Sequence, residues 1–471
     1  MPLDPNRIEW DQKPRLSQFF NLRKESDKII FSYTPHFSLR HGSIHPFQAL
    51  AISLINGRLN WGQIVQALSV LTEQEPENAL RFLSNVLKYV DPKNEIISEN
   101  HSRIPKIFDP ENFLLPPDRL NLESRLEAPI TLILKITSRC KTDCIYCYAP
   151  RKRAEEEREL SLDQYKEIFR QARDIGIFQI NLCGGDGFVR KDFIDIIRTS
   201  VQMGFITDVS TKVDLKQDEI ERLADTKLDY LQISIDSCVP EIADRMFGRK
   251  GHFERLVESI KRLKEAGIYV RTNSIITSLN VKTVEDTISM LADLGINNMK
   301  LTPAFESHHI DNTGYLLNPD EVNFLESLVE RLQPKWAEKG VHLFYSRLKA
   351  PSEMDKKEKA EFWFRSRGIC SGGRSAMFIT PEGKVTLCEQ VPHEPPFILG
   401  DLNIQTIRDV WNSRQVLDMA YPDRGGFSDS ICSDCRDFKL CVEKRGHCFR
   451  DSWFANKTLF GPSPYCPHNH K

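Results

Sequence analysis

Apolar positions repeat along this chain with two periods, and the switch between them divides it. In residues 28–100, "IIFSYTPHFSLRHG" predicts a strand pair that turns near Pro35. "PFQALAISLING" then places Phe47, Leu50, Ala51, Leu54 and Ile55 on one helical face, with Gly57 as its stop. Trp61, Ile64, Val65, Leu68 and Leu71 repeat that face, and Leu80, Leu83, Leu87 and Val90 form a third. "DPKNEIIS" closes the segment as a turn and a short strand. The pattern predicts a small winged-helix-like domain after a tail at 1–27. The proline-rich, weakly periodic residues 101–128 read as a linker.

From 129 to 343 the pattern becomes repetitive. The apolar runs "ITLILKI", "FQINLC", "FITDVS", "YLQISI", "YVRTNSII" and "MKLTPAF" alternate with amphipathic helices, four of which end at Gly176, Gly204, Gly267 and Gly295. Six successive βα units predict an α/β domain with a parallel sheet. An open doubly wound sheet and a partial barrel both fit, and in either the chemistry collects at the C-terminal ends of the strands. Residues 344–471 decay into short segments, turns and cysteines, a pattern that predicts reliance on bound metal.

At 471 residues the chain exceeds a single core. A net charge of −2 argues against nucleic acid as a partner. Its apolar runs are of strand length, so no membrane partner is expected. "MPLDPNRIEW" shows no basic segment followed by an apolar one, and a cytoplasmic protein is expected. In that compartment the twelve cysteines serve metal binding or reactivity rather than disulfides. None precedes Cys140, and seven lie beyond residue 344.

"TSRCKTDCIYCYAP" places Cys140, Cys144 and Cys147 at C-x3-C-x2-C, just past the first strand of the βα array. Structural zinc and most iron–sulfur clusters take four ligands, so three thiolates leave one position open for chemistry. The alternative is a structural zinc that recruits a distant fourth ligand. With Tyr146 before the last cysteine, the motif resembles the radical S-adenosylmethionine superfamily. That resemblance implies a partial (β/α)6 barrel and a [4Fe–4S] cluster on Cys140, Cys144 and Cys147. It also implies S-adenosyl-L-methionine chelated to the fourth iron and a 5′-deoxyadenosyl radical that abstracts hydrogen from substrate. "LCGGDGF" stands where the family usually has Gly-Gly-Glu, so Gly184, Gly185 and Asp186 are implied to hold the methionine amino group. Asp186 is one methylene shorter than the usual acid. Ser234 and Asp236 in "SIDS" are implied cofactor contacts. Ser210, Thr211 and Asn273, with Thr302, join them by position at strand ends.

The C-terminal cysteines resemble a SPASM domain, which binds auxiliary iron–sulfur clusters in peptide-modifying radical enzymes. Cys432, Cys435 and Cys441 form C-x2-C-x5-C, and six residues separate Cys441 from Cys448 where three are common. The resemblance assigns Cys432, Cys435, Cys441 and Cys466 to a distal cluster and Cys370, Cys388 and Cys448 to a proximal one. Two closed four-thiolate clusters need eight cysteines, and "EFWFRSRGIC" supplies none before Cys370. The proximal cluster is therefore open, takes a non-cysteine ligand, or is smaller than [4Fe–4S]; Glu361, Glu389 and His447 are nearby candidates. Zinc ribbons are the alternative. Glu389, next to Cys388, is a candidate general base, since some relatives place an acid there; the other reading is a surface charge. Cys183 and Cys238 end barrel strands facing the cavity mouth, as hydrogen-atom donors or, more commonly, as small buried apolar residues.

The N-terminal domain resembles a RiPP recognition element, a relative of the peptide chaperone of pyrroloquinoline quinone biosynthesis. Such domains bind a precursor's leader as an added edge strand, expected here near Ile29 to Tyr33 with a groove lined by the third helix. The resemblances imply a maturase acting on a ribosomal precursor peptide to give a crosslink, thioether, epimer or splicease-type excision. A flavodoxin- or ferredoxin-type electron donor, and a small recognition-element partner protein, are further expected partners. The alternatives are a radical enzyme acting on a protein side chain, a small molecule or a tetrapyrrole, and a non-catalytic iron–sulfur scaffold.

Overall fold

The computed structural model describes residues 8–34, 37, 39–92, 95–97, 107–149, 158–307, 309–346, 356–366, 368–445, 447–464 and 466–469. The chain divides into two compact units, Met1–Glu127 and Ala128–Lys471.

In the first unit, β1 (Phe20–Lys24), β2 (Ile29–Tyr33) and β3 (Arg40–Ile44) form an antiparallel sheet in that order. Helices α1 (Pro46–Ser53), α2 (Trp61–Thr72) and α3 (Pro76–Val90) follow. Capping boxes start α1 at His45 and α2 at Asn60, each closed by the glutamine three residues on. Ile52, Ile64, Leu68, Leu83 and Val90 fill the core from all three helices.

Four expectations change here. Residues 1–27 are not simply a tail, because they supply β1 and put Leu16, Phe20 and Leu22 into the core. β2, expected at the edge, is the central strand and is paired on both sides, so the edges are β1 and β3. The expected linker is partly structural: Phe113 joins the same core, and Lys28 Nζ donates to Arg125 O at 3.1 Å. Among the described residues the closing wing pairs through one bridge, Leu16 with Ile97, and the turn at Pro35 lies outside the described residues.

The second unit is built on one ten-stranded sheet. β4 (Thr131–Lys135), β5 (Gln179–Cys183), β6 (Ile206–Thr211), β7 (Leu231–Ile233), β8 (Val270–Ile276) and β9 (Asn298–Pro303) lie side by side, all parallel. The strict sequential order decides between the two predicted architectures. A doubly wound sheet reverses strand order at a switch point, whereas right-handed crossovers that never reverse keep every helix on one side and curl the sheet. Those helices are α4 (Leu162–Asp174), α5 (Phe193–Gln202), α6 (Gln217–Ala224), α7 (Pro240–Phe247), α8 (His252–Glu265) and α9 (Val284–Asp293). Gly176, Gly204, Gly267 and Gly295 follow their helices with positive φ, as predicted. The barrel does not close. α10 (Pro319–Ala337) leads to β10 (His342–Tyr345), which extends the sheet beyond β9.

The sheet also crosses the boundary expected at 343/344. After α11 (Lys356–Ser366), β11 (Ala376–Ile379) pairs parallel with β4, and β12 (Lys384–Thr386) and β13 (Gly400–Asp401) continue from it. α12 (Ile407–Trp411) and α13 (Arg414–Ala420) then pack beside the barrel, where Gln171 Oε1 accepts from Ile407 N at 3.0 Å. Trp411 and Val410 are fully buried, so this stretch has an apolar core of its own. α14 (Phe449–Asn456) lies in the remaining segment, where the rings of Phe438, His447 and Phe460 stand edge-on to Phe427 at 5.1–5.4 Å.

Candidate functional site: a three-thiol cavity and a second thiol cavity

The loop after β4 is fixed by backbone bonds. Asp143 N donates to Phe247 O at 2.8 Å, and Ile145 N to Met246 O at 3.1 Å, which ties the cysteines to the end of α7. On its other side Gly185 N donates to Thr137 O at 2.7 Å and Asp186 N to Arg139 O at 2.9 Å. A Cβ at Gly184 would stand 2.5 Å from Thr137 O, and one at Gly185 would overlap the Arg139 carbonyl. The Gly-Gly pair thus lets the cysteine loop rest on the end of β5.

A cavity of about 260 Å³ opens at the C-terminal ends of the strands. Cys140, Cys144 and Cys147 line it, with Tyr146, Gly184, Gly185, Asp186, Ser210, Thr211, Ser234, Asn273 and Thr302. Three thiols facing a space bordered by strand-end polar groups suit a three-thiolate cluster with an open position toward a polar cofactor.

Asp236 differs from its expected place. It lies beneath the cavity wall, where it accepts from the Tyr146 hydroxyl and, at 2.7 Å, from Ile275 N. Burial raises its pKa against the pull of Lys212, and burial with the Asp236 charge pushes Tyr146 well above the usual phenol range. Tyr146 therefore lines the cavity, and Asp236 holds it from behind the wall. Asp186 is also engaged by the protein: Thr211 Oγ1 at 2.7 Å, Lys212 N at 3.0 Å and Phe188 N at 3.1 Å all donate to its carboxylate. Burial raises its pKa, opposed by those bonds.

Two further side chains that line the cavity escaped the sequence reading. The Lys212 ammonium sits 5.3 Å over the Tyr146 ring. Burial lowers its pKa, but Cys144, Asp236, Cys147 and Cys140 together carry it above the ordinary lysine value. No spacing rule marks a lysine placed just beyond a strand. The second is Tyr148, which lines the cavity, stacks near Phe305 at 5.6 Å and is hydrogen-bonded to Glu389. Its position beside Cys147 was the available signal.

That bond gives Glu389 a reach its place in the sequence could not define. Burial raises the pKa of the half-buried carboxyl, opposed by the Tyr148 hydroxyl and by Lys135. The Glu389 charge and then burial drive Tyr148 far above its ordinary range. Cys183 lines the same cavity, and burial followed by the Glu389 charge keeps it a thiol. Cys238 is absent from that lining, and its amide is held by Thr287 Oγ1 at 3.0 Å, so the two spare cysteines are not equivalent.

A second cavity, about 430 Å³ and mostly apolar, is lined by Cys432, Cys435, Cys441 and Cys466, the expected distal set. Cys370, Cys388 and Cys448 form a separate neighbourhood. Cys370 acts on Cys388, and Arg450 lies near both Cys388 and Cys448. The three nearby candidates for a fourth proximal ligand point elsewhere. Glu361 pairs with Arg365 at 2.7 Å, His447 Nε2 bonds Leu459 O at 2.8 Å and lines the distal cavity, and Glu389 turns to Tyr148.

An open barrel with three loop thiols at its C-terminal mouth, followed by thiols gathered in a second region, is an arrangement suited to an iron–sulfur radical enzyme. Residues 134–294 match the radical SAM superfamily, and residues 370–436 match the SPASM iron–sulfur cluster-binding domain. The chain carries a radical SAM domain followed by a SPASM domain. Among relatives, the PqqA peptide cyclase of Rhizobium meliloti (strain 1021) is 24% identical over 331 residues, 69% of this chain and 84% of that protein. The PqqA peptide cyclase of Ruegeria pomeroyi is 26% identical over 293 residues, covering 61% and 75%. Among solved structures, Streptococcus suis SuiB bound to precursor peptide SuiA matches with a TM-score of 0.65 at 16% identity, over 96% of this chain and 99% of that one. No helix among the described residues is long and apolar enough to cross a membrane.

Proposed function

We propose that this chain modifies a ribosomally made precursor peptide by hydrogen-atom abstraction within the barrel cavity. The observation that carries the reading is the presence, in one chain, of the three-thiol cavity and a separate small unit whose sheet ends in an open strand. The relatedness to PqqA peptide cyclases supports it. When bound, the radical cluster, S-adenosylmethionine and two auxiliary clusters supply the hydrogen-abstracting radical and one-electron transfer; a flavodoxin- or ferredoxin-type protein is the matching class of electron donor. Cys140, Cys144 and Cys147 would hold the radical cluster, with Lys212 balancing thiolate charge. Gly184 and Gly185 seat the loop, and Ser234, Asn273 and Thr302 present polar atoms to the cofactor. Cys432, Cys435, Cys441 and Cys466 would hold the distal cluster, and Cys370, Cys388 and Cys448 the proximal one. The leader would add to β3, the edge beside α3, where the half-exposed Tyr89 stands against Phe31 at 5.9 Å.

Co-expression with small peptides encoded nearby, followed by mass spectrometry, tests the reading. Loss of a hydrogen pair marks crosslinking, deuterium from heavy water marks epimerisation, and loss of a residue-sized fragment marks excision. If no such peptide changes mass while a protein side chain or small molecule does, the reading fails.

Glu389 is the base we assign for the substrate proton, with Tyr148 orienting its carboxylate toward the cavity. Glu389→Gln is expected to lower product formation by about 100-fold or more while 5′-deoxyadenosine still forms. A base must be deprotonated, and burial raises this carboxyl. The acid limb of the wild-type pH–rate profile should therefore lie above the usual glutamate range and be absent from the residual activity of the variant. Parallel loss of 5′-deoxyadenosine would show that Glu389 supports the radical site instead.

A further inference from the structure

Barrels of parallel strands ordinarily turn bulky apolar side chains into the lumen. Here polar strand positions line the cavity, Gln232, Ser234, Asn273, Lys300 and Thr302 among them. Side chains two apart on a strand share a face. Asp208, two residues before Ser210, and Arg271, two before Asn273, therefore join Gln232 and Lys300 in the inward layer beneath the strand ends. Arg271 and Asp208 satisfy each other: Nη2 meets Oδ1 at 2.8 Å, and the guanidinium carbon lies 3.8 Å from the centroid of the Tyr230 ring. Lys300 has no such partner. It is half-buried and lies beside Asn273 in the β8–β9 register, and among the described residues no hydrogen bond or ion pair reaches its ammonium.

The charges around Lys300 leave it without a counter-charge. Burial and the Arg271 cation hold its pKa below the ordinary lysine value, and Asp208, already paired, opposes them. An ammonium in that setting is stabilised by an incoming anion. The thiol end of the cavity has a different cation, Lys212, which stands 5.3 Å over the Tyr146 ring. Lys300 stands on β9, at the other end of the six parallel strands from β4. It is two residues short of Thr302, about 6.6 Å deeper along the strand. A free cation at that depth, away from the thiol loop, faces what enters the lumen.

We propose that Lys300 is a specificity-determining residue that receives a carboxylate of the core peptide, either an aspartate or glutamate side chain or the peptide's C-terminal carboxylate. The inference rests on the peptide-modifying reading given above and narrows its substrate. An ion pair at the lumen floor fixes which stretch of the peptide lies beside the three-thiol loop. A core without a carboxylate at that place leaves the ammonium half-buried and unpaired, and is rejected for that reason.

The holoenzyme is assayed on the precursor whose mass changes in co-expression, on versions with each core aspartate or glutamate changed in turn to its amide, and on one with an amidated C-terminus. One version should lower kcat/KM by at least about tenfold, and its identity tells a side-chain carboxylate from the terminal one. Lys300→Met should lower kcat/KM on the unchanged precursor to the same extent and lose nothing further on that version. Its affinity for S-adenosylmethionine, read by equilibrium dialysis, should stay within about twofold of wild type. Additive losses would overturn the assignment. So would an affinity for S-adenosylmethionine weakened by about tenfold, which would give Lys300 to the cofactor. If Lys300→Met does not fold, the wild-type chain decides: a peptide modified equally well in every amide version overturns the assignment alone. A wild-type chain that alters no peptide overturns the peptide reading, and this inference with it.

Discussion

Gly185→Ala is expected to abolish S-adenosylmethionine cleavage, by at least about 100-fold, while the auxiliary thiol sites stay intact. The added Cβ would overlap Arg139 O and stand 2.6 Å from the Arg139 carbonyl carbon. Those atoms are backbone of the loop that carries Cys140, so no rotamer change relieves the clash. The loop must lift, and with it go the bonds from Gly185 N to Thr137 O and from Asp186 N to Arg139 O. A displacement near 1 Å at a reacting centre costs about two orders of magnitude in rate. Gly204→Ala is the control. Unlike Gly185, Gly204 has a positive φ, +87°, and nothing lies within 4 Å of an added Cβ. The substitution should cost about 1–2 kcal/mol of stability and leave cleavage near wild type. Chromatography of 5′-deoxyadenosine, with iron and sulfide per chain, reads both variants. Undiminished cleavage by Gly185→Ala would show that the loop does not depend on its seat at β5.

The contrast between these glycines marks what the sequence can reveal. Gly204 is read from a periodic helix that stops, a local rule. The motif letters locate Gly185, but the atom its missing side chain accommodates belongs to a loop some forty-five residues away. The same division runs through the rest of the molecule. The six βα units were legible because each strand is a continuous apolar run and each helix a clear face. Their order was not, since pairing is a relation between segments. That is why β2 reads as an edge but lies between β1 and β3, and why β11 joins β4 across 240 residues of chain. β1 was missed because "FNLRK" is five residues long and carries two charges, too little signal to register as a strand. In the site, thiol spacing picked out cysteines that line the two cavities. Their neighbours, Lys212 beside the thiols and Tyr148 bonded to Glu389, are brought in by elements that share no spacing with the residues they meet.

A chain beginning at Ala128 is expected to cleave S-adenosylmethionine and to lose precursor binding, with the dissociation constant for the full precursor rising at least about tenfold. The point of truncation matters. A cut near residue 100 follows the periodicity but leaves behind Phe113, a member of the first unit's core, and the contacts that fasten 107–127 to that unit. Lys24 Nζ donates to Leu114 O at 2.9 Å, Asn121 N to Asp27 O at 2.9 Å, and Ser26 N to a Glu127 carboxylate oxygen at 2.8 Å. Such a cut strips β1 to α3 away and strands apolar surface on the remainder, so lost activity would mean little. Removing Met1–Glu127 whole takes one core and one sheet, and the ten-stranded sheet keeps every strand. If the leader pairs with the open edge of β3, its main-chain bonds leave with that sheet, while a peptide lacking the leader should bind both chains equally. Fluorescence anisotropy of the labelled precursor, alongside 5′-deoxyadenosine formation, separates the two functions. Full-affinity binding by the truncated chain would place leader recognition in the barrel unit and leave the N-terminal unit without the peptide-binding role proposed for it.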